Sequence, residues 1–395
     1  MTKALHRPVF AQLSLLVFIL CVLCGKTAAQ DFKQVHPGVE YAQVEHKLGG
    51  DPLKINLLRL DLKKVRLDVH HALDKAIGLE TTSSIATRKG AVAAINAGFF
   101  RLDKSEWAGD PSGLLMLDGK FLSEATNNRI ALLFVNNEKG TPFVLMQHLD
   151  VGPFIALDKQ DQPIKAGINR ERKDNEVVLF TTDFGPTTKT TTQSVEIILT
   201  NCKNEKCRDV EIRETGNAFI PIDGYVVSVG LGYLKSNPEF SSRLRNRPTK
   251  DSGIYVFNSM KRDLLSKLLS YKVDVTNGVP QLIKNGKIDI TWEQEKASKS
   301  FAETRHPRTA VAKLKDGKFL MMTVDGRQPG VSVGMSLQEL AEYLFSLGAV
   351  DAMNLDGGGS TTMFLDGKVV NKPSDANGER KIGDAIVVTL RKKKK

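Results

Sequence analysis

Between Arg305 and Arg380 the chain sets its acids and arginines at the ends of short apolar runs: Asp325, Asp356, Asp375 and Glu379, with Arg305, Arg308, Arg327 and Arg380. A carboxyl pair is what glycoside hydrolysis uses, one member as acid and the other as base or nucleophile. The planar fork of arginine suits the oxygens of a phosphate. Any one of these residues alone reads as half of a surface ion pair; gathered at strand ends within one segment, they read as a site.

The densest part of that segment is Asn354-Leu-Asp-Gly-Gly-Gly-Ser-Thr-Thr362. Three glycines in a row leave a backbone without Cβ atoms, free to take positive φ and to let another molecule approach its N–H groups. Asp356 stands on one side and the hydroxyls of Ser360, Thr361 and Thr362 on the other. Such a loop at the end of a buried strand suits an anion or a sugar. A plain turn or linker is the competing reading, and the short strands on either side, Ala349–Met353 and Met363–Leu365, argue against it.

The elements that must position these residues are mainly strands. Period-two alternation over 39–45, 54–62 and 65–70 predicts half-buried antiparallel strands. Residues 82–90 read as a short helix closed by Gly90, leading into the apolar strand 91–95 and then Asn96-Ala-Gly-Phe-Phe100, which reads as the rim of a pocket or as a turn with core phenylalanines. Asp118-Gly119, Asn285-Gly286, Asp316-Gly317 and Asp366-Gly367 each lie between apolar runs, the pattern of type I′ hairpins. Ser336 and Glu339 form a capping box that opens an amphipathic helix to about Leu347, and Asn258 to about Leu269 reads as another helix. The expected fold is α+β, mostly antiparallel sheet with a few packed helices. Residues 30–127 and 251–390 are expected to form one domain, with 128–250 as a candidate β-rich insertion and 391–395 as a basic tail.

Residues 1–29 read as a signal peptide: Lys3 and Arg7, an apolar run from about Leu13 to Cys24, and small residues before Gln30. That run is too short for a comfortable membrane span. The expectation is a soluble chain, secreted or periplasmic, with no stable membrane span. The formal charge of +11 falls to +8 without the leader, and Arg391–Lys395 carries five of those charges. A basic tail is not the basic face of a nucleic-acid protein, so no nucleic-acid partner is expected. Cys202 and Cys207 remain, on a polar loop between strand-like runs, and are expected to pair as a disulfide. No pattern specifies an oligomer.

Taken in order, Asn96–Phe100, Pro307–Val311, Asp325–Arg327, Asn354–Thr362 and Pro373–Asp375 resemble the phosphodiester glycosidases, the family of the animal uncovering enzyme. The resemblance runs over roughly 88–390 and is dense only after about 277. It implies hydrolysis of the bond between a sugar anomeric carbon and a phosphodiester oxygen, the sugar being N-acetylglucosamine-like. Asn96, Gly98, Arg308, Thr309, Asp325, Gly326 and the loop from Asp356 through Thr361 match the family's motifs. Arg308, with the amides of Gly357, Gly358 and Gly359, is then expected to hold phosphate; Arg327, Ser360 and Thr361 join Asn96, Gly98 and Thr309 in the substrate-binding set. Asp356 and Asp325 are expected at the anomeric centre. No cofactor is required by this scheme. The alternatives are a phosphodiesterase with divalent metal on Asp325 and Asp356, and a non-catalytic binder of anionic envelope polysaccharide.

Overall fold

Alternating burial sets most of this chain into antiparallel strands, and the computed structural model describes residues 30–391 apart from 137–141, 160, 192, 247–252 and 259–271. The leader, the helix expected over 258–269 and the last four lysines lie outside the described residues, save Asn258, which ends a strand. Residues 31–395 fall into one compact unit. The fold is α+β: among the described strand pairings only Gly167–Ile168 with Val177–Phe180 is parallel.

An eight-stranded sheet carries the densest motifs. Its central strands run Asp51–Leu60, Phe319–Val324, Arg308–Leu314, Ala349–Asn354 and Gln281–Lys284. Side chains alternate across it as the pleat requires. Ala310, Ala312, Leu320 and Met322 face the helix Leu337–Ser346 in one core cluster, while Val311, Met321 and Met353 face a second cluster. The helix starts where expected: Ser336 accepts from Glu339 N, and the Glu339 carboxylate accepts from Ser336 N.

Against the second cluster lies a five-stranded sheet built on Ala93–Asn96, Asp384–Leu390 and Val65–His71, with Met363–Leu365 on its other side. A further five-stranded sheet contains Ile130–Asn136, whose seven residues are all buried. Leu132 and Phe134 reach the same cluster as Val311; Leu133 and Val135 reach another, shared with a second eight-stranded sheet. The edge strands of that last sheet, Ile164–Lys165 and Gly167–Ile168, are separated in the chain by Ala166 alone, so the sheet curls until its edges meet. Its hairpin Ser194–Lys203 with Lys206–Arg213 pairs Cys202 opposite Cys207, and the two form a disulfide.

Three of the four expected two-residue hairpins have both central residues at positive φ, as type I′ turns demand: Asp118-Gly119, Asn285-Gly286 and Asp366-Gly367. The fourth differs. Lys313 pairs with Phe319, the loop is longer, and only Gly317 is left-handed; the Asp316 side chain instead accepts from Lys318 N at 3.0 Å. An Asx-type side-chain bond there replaces the second left-handed residue.

Candidate functional site

Strand ends from three sheets converge on Asp356. Asn96, closing Ala93–Asn96, is 1% exposed and holds three partners: its Oδ1 accepts from Thr309 Oγ1 (2.8 Å) and Thr362 N (3.1 Å), and its Nδ2 donates to Asp356 O (2.7 Å). Asp356 N donates to Ala97 O, and Leu355 N to Thr309 O. The backbone that enters the glycine loop is therefore fixed on both sides. Gly357 N then donates to Asp356 Oδ1 (2.9 Å) and Gly358 N to Pro307 O (2.9 Å).

Asp356 retains intermediate solvent exposure, while the protein packed round its carboxyl pushes the pKa up to about 6. Burial is the main cause. Ser360, Arg380 and the Gly357 amide oppose it, and the charge of Asp384 adds to it. Asp384 opens the last strand; it is 4% exposed and its carboxyl is likewise raised to about 6 by burial. Its Oδ2 accepts from Thr276 Oγ1 (2.6 Å) and its Oδ1 from Gly98 N (2.8 Å). A Cβ at Gly98 would stand 2.8 Å from Thr276 Oγ1 and 3.0 Å from Asp384 Oδ1, so glycine is what lets this carboxylate approach. Beside it, Asn277 Oδ1 accepts from Phe99 N.

Cations gather on the other side of the loop. A Cβ at Gly358 (φ +61°) would stand 3.1 Å from the Arg327 guanidinium. Arg327 forms no ion pair with a carboxylate among the described residues; His306 Nδ1 is 3.5 Å from its Nη2. Burial, Arg308 and Arg327 together lower the His306 pKa, which keeps that ring neutral. Arg380 is held by Asp375 through two bonds of 2.7 and 2.9 Å, and a Cβ at Gly359 would lie 2.1 Å from both partners.

Several expected site residues lie elsewhere. Arg308 is 1% exposed, with Nε on Met335 O and Nη2 on Phe301 O and Thr304 O, and its guanidinium 4.9 Å above the Phe301 ring. Its place follows from the pleat: Thr309 points to Asn96, so Arg308 points to the opposite face. Asp325 is 3% exposed, and its oxygens accept from Lys372 N and Asn371 Nδ2. Asn371 Nδ2 also donates to Thr361 O, so Asp325 braces the back of the loop. Burial still raises its pKa. Of the three glycine amides, those of Gly357 and Gly358 are already bonded. Arg305 pairs with Glu339 and Asp51, and Glu379 accepts from Ser83 N and Oγ at the start of the helix Thr82–Arg88. Ser360 and Thr361 are buried within the loop, and the Thr361 hydroxyl has no hydrogen-bond partner.

The sequence reading missed Asp384, Thr276, Asn277 and His306. An acid directly before the apolar run 385–390 is the same strand-end signal that drew attention to Asp325 and Asp356. Among the described residues no group of three His, Cys, Asp or Glu side chains is arranged to hold a metal ion, and no helix is long and apolar enough to cross a membrane.

Comparison with known proteins bears out the resemblance. Residues 207–389 match the phosphodiester glycosidase family model. The chain is 37% identical over 163 residues to the N-acetylglucosamine-1-phosphodiester alpha-N-acetylglucosaminidase of Mus musculus, covering 39% of this chain and 29% of that protein. It is 37% identical over 112 residues to the Bos taurus protein of the same name, covering 26% and 21%. The chain thus spans less than a third of the length of these curated relatives. Among solved structures, a hypothetical protein from Synechocystis superposes with a TM-score of 0.69 at 22% identity, over 90% of this chain and 62% of that one, and so shares the fold.

Proposed function

We propose, from the phosphodiester glycosidase match over residues 207–389, that this chain hydrolyses the glycosidic bond of a sugar-1-phosphodiester, the sugar being N-acetylglucosamine or a close analogue. One observation carries the reading: a carboxyl raised to about 6, Asp356, stands on a glycine loop whose other side carries the Arg327 guanidinium, unpaired with any carboxylate among the described residues. A base poised near neutrality and a cation free to take a phosphate are the two groups this reaction needs.

A phosphate monoester is already a good leaving group, so proton donation to it matters less than charge stabilisation. In the proposed reaction Asp356 takes a proton from water, the water oxygen adds to the anomeric carbon, and the glycosidic C–O bond breaks with its electron pair on the phosphate oxygen. Arg327, exposed beside Gly358, neutralises the phosphate. Asp384 does not reach the reacting atoms; locked by Thr276 and Gly98, it adds through its charge a small part to the rise in the Asp356 pKa that burial mainly causes. Asp325, in place of a role at the anomeric carbon, positions the loop through Asn371. No cofactor takes part. The disulfide and the leader-like start favour work outside the reducing cytosol.

The test is to incubate the purified chain with uridine-diphosphate-linked N-acetylglucosamine in oxygen-18 water, with and without chelator. The expected products are free sugar labelled at its anomeric oxygen and unlabelled uridine diphosphate, in equal yield with chelator. Label on phosphorus, or loss of turnover with chelator, replaces this reading with a metal-dependent phosphodiesterase. No product from any sugar phosphodiester leaves a polysaccharide binder.

A further inference from the structure

The curled eight-stranded sheet has a cavity of about 620 Å³ at one mouth, sharing no lining residue with the glycine loop. That volume lies within the usual range of small-ligand sites, and barrel mouths are a common place for them. The floor is apolar, made by Ile168, Leu179 and the Cys202–Cys207 disulfide. Three aromatic rings, Phe121, Tyr225 and Phe257, line it together with Asn204 and the threonine pair 181–182. Its formal charges are Asp183, Glu205 and Asp223 against Lys120 alone.

We propose that this cavity is a second binding site, and that it takes the neutral sugars of an oligosaccharide. The chemistry is that of a polyhydroxylated ring with apolar faces. Aromatic rings cover the C–H faces of a pyranose, while carboxylates and an amide accept and donate at its hydroxyls. An excess of acids turns away a phosphate or a uronic acid, the reverse of the charge beside Gly358. The wall is pre-organised, because the disulfide ties the hairpin tip that carries Asn204 and Glu205, and a fixed wall loses less freedom on binding. Ile222, 95% exposed on the rim, extends the apolar surface outward. Binding here needs no turnover at the glycine loop.

Calorimetric titration of the full chain with N-acetylchitotriose tests it. Saturable binding is expected, weakened about tenfold by Tyr225→Ala, a loss of the size an aromatic contact supplies. Asp223→Ala, at an exposed position, should weaken it too without any risk to folding. Both variants should turn over a small sugar phosphodiester at the wild-type rate, and Arg327→Ala should bind the trisaccharide as the wild type does. The proposal is overturned by no saturable binding to the wild type, by binding that both cavity variants retain in full, by binding lost only in Arg327→Ala, or by tighter binding of a heparin-derived oligosaccharide.

Discussion

Two regions of this molecule gather loops from several strands, and they carry opposite chemistry. At the glycine loop, buried carboxylates meet Arg327, Arg380 and the neutral His306, and the backbone is so constrained that the added Cβ atoms at Gly98 and Gly359 would collide with polar side chains. At the mouth of the curled sheet the rings are aromatic, the charges are mostly acidic, and the space is open. The first arrangement stores burial energy in raised carboxyl pKa values, which is how reactive groups are made. The second offers surface. A fold can thus separate the group that reacts from the group that recognises.

The largest effect should come from Asp356→Asn. Asparagine keeps the acceptor for Gly357 N and removes the base, so kcat should fall by about 10²- to 10⁴-fold while trisaccharide binding in the cavity is unchanged. Equal turnover in a folded variant would remove Asp356 from the chemistry and collapse the distinction between the two regions. Next, the two arginines should separate by what they disturb. Arg308→Met leaves the carbonyls of Met335, Phe301 and Thr304 without their donor, and at about 1–3 kcal/mol for a buried group left unpaired the melting temperature should drop by several degrees. Arg327→Ala should melt as the wild type does, yet raise KM by about tenfold or more, since a hydrogen bond to a charged group is worth about 1.5–3 kcal/mol. Should Arg308→Met melt normally and bind weakly instead, the phosphate role returns to Arg308.

Much of this was legible in the sequence, and where it was not the reason is geometric. The strand 349–353, the capping box at Ser336 and the short strand 363–365 follow from local pattern, and the structure has them where the pattern places them. The Cys202–Cys207 pair follows from a polar loop between strands and one shared hairpin. Residue roles were harder, because a side chain's use depends on which face of the pleat it occupies. Arg308 and Thr309 are neighbours in sequence and stand on opposite faces, so no common pocket can hold both; period-two reasoning alone could have shown that. The reach of Asn96 to Thr309, Thr362 and Asp356 spans three separated segments, and no local signal encodes it. Asp384 lies just beyond Arg380, where the run of acids and arginines read as a site ends.

The smallest predicted effect bears on that missed residue. In Asp384→Asn, the Oδ1 acceptor for Gly98 N survives, and the Thr276 hydroxyl can turn to accept from the new amide, so the fold should hold. With the neighbouring charge gone, the Asp356 carboxyl ionises more readily. The acid limb of kcat/KM, which rises as Asp356 loses its proton, should shift to lower pH, and only slightly, since burial is the main cause that raises Asp356 and the charge of Asp384 the least. Stability gives an independent reading. Both carboxyls are raised to about 6 from an unfolded value of about 3.9, so between those pH values the folded chain holds more protons than the unfolded one and stability falls as pH rises. The stability is fully present below the lower value and lost as pH passes the higher. Since the substituted amide cannot ionise, the variant should lose less, and its melting temperature relative to wild type should climb as pH rises from the unfolded value through the folded one. Asp274 and Asp110, also raised by burial, are the same in both chains and cancel in that difference. A stability difference that climbs with an unmoved activity limb would make Asp384 a buried anchor for Gly98 and leave Asp356 to set its own pKa.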